Sequence, residues 1–336
     1  DFQDHMPGTG EAAEIVLIDT QNDYAVEVVE RTLGWNPQQG TMFYWNPEAA
    51  DTQFFFNDRD PRTQKVFTVL YDIEAGEQIA EYRYDDTPFG NSGVAQNGGY
   101  FLGLNYARMA RLRLVTGYLD AADWTEGVLH PTDDGIFKAH VKTGAKELIV
   151  SFAQLAAAIG KSNPLVEQAP LFINHTLWSR DDDRIYFYAR GNFGNRQTRV
   201  NVPFTVERDG ADLTIQDVFI GGHPEWLQGH LILGHEENNL VIYDTDRQQI
   251  ASTLGDASIF RDPGGDNVET GQLRRRVHIF AGLDIQRQLT EKRCCGNYAG
   301  RHRLHQPCQS RYAVLAGEYF HLITFFYFPG HRIGRI

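Results

Sequence analysis

Cysteine is absent until Cys294, and the three present (Cys294, Cys295 and Cys308) crowd the end of a 336-residue chain. The body therefore needs no disulfide, and an adjacent pair with one distant partner lacks the spacing of a zinc site. No apolar run approaches the ~18 residues of a membrane span, so no membrane partner is expected. The opening DFQDHMPGTG carries no basic-then-apolar leader, so no signal peptide is expected within this chain. Basic residues are scarce, 31 Lys and Arg against 44 Asp and Glu, and a net charge of −13 weighs against general nucleic-acid binding. GxGxxG, Walker A, HExxH and GxSxG motifs are all missing, which leaves nucleotide-binding and common hydrolase readings without support. No organic cofactor is expected.

What is present suits sheets and turns. The chain holds 21 Phe, 15 Tyr, 5 Trp and 32 Gly. Up to Asp266, short runs rich in Val, Ile and aromatics alternate with Gly, Asn, Asp and Pro turns. One helix is predicted over 150–159, alanine-rich and ended by Gly160. A repeat underlies the strands. GWNPQQGTMFYWNPEAADTQFFFNDRD is echoed by LFINHTLWSRDDDRIYFYARG and again by IGGHPEWLQGHLILGHEENNLVIYD. YDIEAGEQ, AHVKTGAKE and YDTDRQQ read as turns between the third and fourth strands of successive units. Four strands per unit at a period of roughly 45–55 residues is the signature of an all-β chain, a β-propeller. About five blades are visible, the first incomplete.

The charge changes abruptly after Asp266. Residues 1–266 carry 40 acidic and 20 basic residues, whereas 267–336 carry 4 and 11. Strand-and-turn patterning fades there too. Residues 1–266 are read as the propeller, and 267–336 as an atypical basic tail that either binds a partner or arises from a frameshift.

In a propeller, equivalent positions on the innermost strands converge on the axis. His175 in NHTLW, His223 in GHPEW and Asp266 in PGGD occupy such positions, and two imidazoles with a carboxylate suit Zn²⁺ or a similar cation. Alternatively, each histidine organises its blade beside the tryptophan that follows, Trp178 or Trp226. A second group comprises Tyr44, Arg59, His5, Tyr100 and Tyr106. A guanidinium forks onto a carboxylate, and a histidine or tyrosine nearby exchanges protons. The plainer alternative pairs Arg59 with Asp58 or Asp60 and leaves the tyrosines as sheet aromatics. Arg108, Arg111 and Arg113, with Asn105 and Tyr106, form a basic patch that either meets a polyanion or is a salt-bridged edge. Asp181, Asp182 and Asp183 read as a turn.

Taken in order, QQGTMFYWNP, TQFFFNDRDP, NGGYFLGLNYARMARLR, FINHTLWSRDDDRIYFYARG, IGGHPEW and SIFRDPGGD resemble the seven-bladed β-propeller polysaccharide lyases. The ulvan lyases are nearest, and the oligogalacturonate lyases more distant. The resemblance implies β-elimination on an anionic, uronate-containing polysaccharide. It casts Arg59 as the carboxylate clamp, Tyr44 as the proton-transferring tyrosine, and His5 and Tyr106 as its catalytic partners. Tyr100, Asn105 and Arg108 would bind substrate. His175, His223 and Asp266 would hold a structural divalent metal, Zn or Ca. A secreted or periplasmic, monomeric enzyme is expected. The competing reading is a propeller that binds glycan or protein without turnover.

Overall fold

The computed structural model describes residues 8, 10–19, 22, 24–256 and 312–316. Asp266 and His5 lie outside them, as does most of 267–336. Strands β1 (Ala13–Asp19) and β2 (Ala25–Thr32) pair antiparallel. Four four-stranded sheets follow, each built from strands consecutive in sequence. The first blade comprises β3 (Tyr44–Trp45), β4 (Gln53–Arg59), β5 (Val66–Asp72) and β6 (Glu77–Tyr82). The second comprises β7 (Gly90–Val94), β8 (Tyr100–Leu104), β9 (Gly135–His140) and β10 (Lys146–Ser151). In the third are β11 (Leu171–Trp178), β12 (Arg184–Gly191), β13 (Val200–Glu207) and β14 (Thr214–Ile215). The fourth holds β15 (Gly221–Trp226), β16 (Leu231–Glu236), β17 (Asn239–Asp244) and β18 (Gln249–Asp256). Short β19 (Tyr312–Ala316), within the basic tail, pairs antiparallel with β1. Successive up-and-down sheets of this kind are propeller blades. The YDIEAGEQ, AHVKTGAKE and YDTDRQQ turns each join third and fourth strands, as the repeat predicts.

The Phe54-Phe55-Phe56 run shows why the sheets stack. Alternate residues of a strand face opposite sides. Phe54 and Phe56 pack with Ile15, Phe67, Val69 and Tyr71 on one side of the blade. Phe55 packs on the other with Tyr82, Phe89, Phe101 and Phe137, joining the first blade to the second. All three are at most 1% exposed. The third blade repeats the logic on β12: Ile185, Phe187 and Ala189 belong to the large core shared with the second blade. Tyr186 and Tyr188 belong to the core shared with the fourth. A continuous apolar run therefore marks a strand buried on both faces.

Polar staples join neighbouring inner strands. Trp178 Nε1 donates to Gly93 O at 3.2 Å, and Trp226 Nε1 donates to Leu177 O at 2.9 Å. Both tryptophans thus organise blades, each reaching back to the preceding one. The Asp181–Asp183 turn does more than reverse the chain: Asp182 accepts from the backbone N–H groups of Gln96 (2.5 Å) and Asn97 (2.8 Å) in the second blade.

Among the described residues two α-helices interrupt the repeat, one more than predicted. Helix α2 (Phe152–Gly160) begins at Ser151, whose hydroxyl accepts from Gln154 N while the Gln154 side chain accepts from Ser151 N, a capping box. Helix α1 (Tyr106–Leu112) lies between β8 and β9, with Asn105 as its N-cap. Together these insertions lengthen the interval between the inner strands of the second and third blades.

His230, in the turn before β16, links the third and fourth blades. Its Nδ1 lies 2.9 Å from Asp246 Oδ2 and its Nε2 lies 3.2 Å from Asp183 Oδ2. Burial disfavours its charged form, but the hydrogen bonds to Asp246 and Asp183 outweigh this and raise its pKa. A raised histidine pKa contributes stability that is complete below the unfolded value and fades as pH rises through the folded one. His230→Gln therefore destabilises the protein more at about pH 5.5 than at about pH 8.5, the two sides of an ordinary imidazole pKa. Thermal melts of both proteins at the two pH values check this; an equal loss at both would remove the ion pair from the account.

Candidate functional site

The inner strands of all four blades line one cavity of about 230 Å³. Tyr44 comes from β3, Ser92 and Gly93 from β7, Asn174, His175 and Thr176 from β11, and His223 and Glu225 from β15. Local backbone geometry accompanies this convergence. Met42, His175 and His223 have left-handed backbones (φ 54°, 56° and 58°) at matching points of three blades. The pairing register slips between Asn174 and Leu177 on β11 and between Gly221 and Glu225 on β15. Such bulges re-aim side chains, and a non-glycine residue in this region stores about 1–3 kcal/mol of strain.

Tyr44 and Thr176 meet at one carbonyl. Tyr44 Oη donates to Ser92 O at 3.3 Å, and Thr176 Oγ1 donates to the same oxygen at 3.0 Å. Gly93 permits this approach: a Cβ there would stand 3.1 Å from Thr176 O and 3.9 Å from the Tyr44 hydroxyl. Burial, and secondarily the charge of Glu225, raise the Tyr44 pKa, so the phenol holds its proton at neutral pH. The His175 and His223 rings meet edge to face with centroids 5.3 Å apart. Burial, then His223, Arg190 and Arg113, push the His175 pKa well down. His223 is open to the cleft yet ringed by protein, and burial followed by Arg190 lowers its pKa. Both imidazoles are thereby favoured in the neutral form that ligates metals or accepts a proton.

Sequence reasoning missed Arg180, Asn174 and Glu225. Arg180 lines the cleft; its Nε donates to Trp226 O at 2.7 Å, and its Nη atoms make no hydrogen bond among the described residues. Burial lowers its pKa while Glu225 opposes the shift. Asn174 is 2% exposed, and its Oδ1 has no partner among the described residues, an acceptor left unused beside the cavity. Adjacency to the repeated histidine and tryptophan was the available signal: Asn174 precedes His175, and Arg180 follows Trp178 by two residues.

The other selected residues divide clearly. Tyr106 lines the cleft but is 1% exposed, stacked on Tyr118 at 4.3 Å, with its hydroxyl donating to Asn91 O at 3.0 Å. Arg59 is buried outside the cleft. Its Nε donates to Leu33 O at 3.4 Å, and Nη1 donates to Gln64 Oε1. Neither Asp58 nor Asp60 accepts a hydrogen bond from its guanidinium. Tyr100 sits on β8 away from the cleft, edge to face with His140 at 5.0 Å. Asn105 caps α1 and donates to Asp123 and Asp134, each at 2.9 Å. Arg108 is fully enclosed. Its guanidinium donates to Leu171 O (2.6 Å), Val128 O (3.0 Å), Leu129 O (2.6 Å) and Thr125 Oγ1 (3.1 Å). Asn105 and Arg108 thus hold the loop around α1 and are closed to a polymer. Arg111 takes the salt-bridged alternative, pairing with Asp123 at 2.9 Å.

For a metal, His175 and His223 are suitable donors, and Asp266 lies outside the described residues. Among the described residues no group of three potential ligands is assembled. A tetrahedral centre would need a ligand beyond these two.

No protein-family profile matches the chain, and no curated protein sequence matches it. Solved structures with similar folds include the Dos1 propeller (8% identity, TM-score 0.41, covering 73% of this chain and 54% of that one). An oligogalacturonate lyase in complex with manganese has 11% identity and TM-score 0.36, covering 68% and 56%. A nidogen/laminin complex has 8% identity and TM-score 0.34, covering 72% and 92%. The chain spans just over half the length of the first two. The class is set by this chain's own sheets: it is all-β, a β-propeller in which four complete blades are described.

Proposed function

We propose that this chain is the propeller of a polysaccharide lyase that cleaves a uronate-containing polymer by β-elimination, with ulvan the first substrate to test. The observation that carries this reading is the shared cleft: a protonated phenol (Tyr44), neutral imidazoles (His175, His223) and a guanidinium (Arg180) line one cavity between the blades' inner strands. Arg180, rather than the enclosed Arg59, neutralises the uronate carboxylate and acidifies the neighbouring C5 proton. An imidazole of the histidine pair accepts that proton. The C5–H electron pair becomes the C4=C5 double bond as the C4–O4 bond breaks, and O4 takes a proton from Tyr44. A hydrolase on two opposed carboxylates fits less well, because among the described residues lining this cleft Glu225 is the one carboxylate.

Incubation with ulvan, polygalacturonate and heparan sulfate, followed by ultraviolet absorbance of the unsaturated product, tests the reading. Product is expected from at least one polymer, with kcat/KM reduced about 10²–10³-fold in Arg180→Gln, the loss typical of removing one charge-stabilising donor. No product from any uronate polymer defeats it. The retreat of Arg59 from the cleft favours the second reading, a glycan-binding platform without turnover, which predicts polymer binding in the same samples and a flat absorbance trace.

A further inference from the structure

Five arginines of this acidic chain meet a carboxylate: Arg31 meets Glu14, Arg83 meets Glu81, Arg111 meets Asp123, Arg184 meets Asp246 and Arg247 meets Asp244. Arg59, Arg108 and Arg180 bond instead to carbonyl, amide or hydroxyl oxygens. Three others share a different arrangement. Arg113, Arg190 and Arg199 gather around the ring of Phe193, with guanidinium carbons 4.6, 5.1 and 4.6 Å from its centroid. None of the three forms an ion pair among the described residues. Among the described residues their side chains make two hydrogen bonds, Arg190 Nε to Asn201 Oδ1 and Arg199 Nη2 to Phe193 O, both 2.8 Å. Most of their donors, five on each guanidinium, have no partner among those residues. Arg190 is 8% exposed. Burial, Arg113 and Arg199 all act against its charge, and its pKa falls to about 10, with Tyr188 and Tyr186 opposing. Burial, followed by the charge of Arg199, lowers the Arg113 pKa.

Three like charges converge on one ring with no carboxylate paired to them among the described residues, which leaves their repulsion to be balanced in another way. Cation–π contact with Phe193 supplies part. An oxyanion would suit the remainder, because forked donors match the oxygens of a sulfate or carboxylate. The cluster also adjoins the cleft. Arg190 lies 4.6 Å over the Tyr188 ring, and Tyr188 meets His175 edge to face at 5.4 Å.

We propose that Arg113, Arg190 and Arg199, assembled around Phe193 beside the cleft, form an oxyanion site that takes a sulfate ester of the bound polysaccharide. The oxyanion site stands on its own geometry, while its assignment to the polymer substrate rests on the lyase reading. It makes the substrate a sulfated polymer held at two places, by carboxylate in the cleft and by sulfate at the rim.

The test uses the whole chain, the double variant Arg113→Gln/Arg199→Gln and the single exposed change Arg199→Gln. Thermal melts with sodium sulfate against sodium chloride at matched ionic strength read the site alone. Titration calorimetry with dextran sulfate, uncharged dextran and polygalacturonate separates a sulfate ester on a glycan from free sulfate and from carboxylate. Sulfate is expected to raise the wild-type melting temperature beyond chloride. Dextran sulfate is expected to bind more tightly than polygalacturonate and to lose about tenfold in affinity in Arg199→Gln, as loss of one charged hydrogen-bond donor implies. Absence of a sulfate-specific shift in the wild type, an undiminished affinity in the variants, or equal binding of polygalacturonate overturns the sulfate-ester site. Cleavage of uronate polymers is read separately. Sulfate binding without cleavage leaves the site standing and removes the lyase, whereas cleavage without sulfate binding does the reverse.

Discussion

Tyr44→Phe is expected to reduce turnover of a uronate polymer by about 10²–10⁴-fold, the usual contribution of a positioned acid or base. Folding should be nearly unaffected. The lost hydroxyl makes one long hydrogen bond, 3.3 Å to Ser92 O, and Thr176 still donates to that oxygen. The ring keeps its place in the wall of the cleft, so the stability cost is about 1 kcal/mol or less. Steady-state absorbance kinetics with a melting curve of the same sample separate the two effects. A variant that retains wild-type turnover takes Tyr44 out of the chemistry, and one that fails to fold shows that the hydroxyl is structural.

The second large effect is on stability. Arg108→Ala is expected to cost about 3–5 kcal/mol, the range for stripping one partner from a buried charged contact. The guanidinium is completely enclosed, reaching Val128 O and Leu129 O in the loop after α1 and Leu171 O at the start of the third blade's inner strand. Truncation leaves those carbonyls without their donor and opens a cavity beside Phe152, whose ring lies 4.5 Å from the guanidinium carbon. Urea denaturation measures the loss. Turnover per folded molecule should be unchanged, because Arg108 does not line the cleft. A stable Arg108→Ala protein with weakened polymer affinity would restore the residue to substrate binding.

Legibility followed how strongly each segment declares its environment. FFF on β4 and the three third-to-fourth-strand turns carry composition that only a two-faced sheet explains, so the blade repeat was readable. β7 was not. Its sequence, GNSGV, is poor in strand-forming residues, and all five are buried by the packing of neighbouring inner strands. Helix α1 was hidden for a related reason. Its arginines read as a surface patch, whereas Tyr106, Ala107, Arg108 and Met109 are all buried. Within the site, His175 and His223 were legible because repetition places them at the axis. Arg59 was misleading: a guanidinium near an aromatic strand looks like a clamp, yet local sequence does not say that it points to Leu33 and Gln64. Arg113 illustrates the converse. It was chosen as one of a consecutive basic set, but its neighbours Arg190 and Arg199 come from another blade and no spacing along the chain announces them.

The double-sided packing of β4 also limits how this chain can vary. A strand with one wet face can change every second residue at little consequence. From Phe54 through Asn57 this strand has no such free positions. Each substitution must satisfy two neighbouring sheets at once, so drift should be channelled to the outermost strands, where β6 turns four of its six side chains to water.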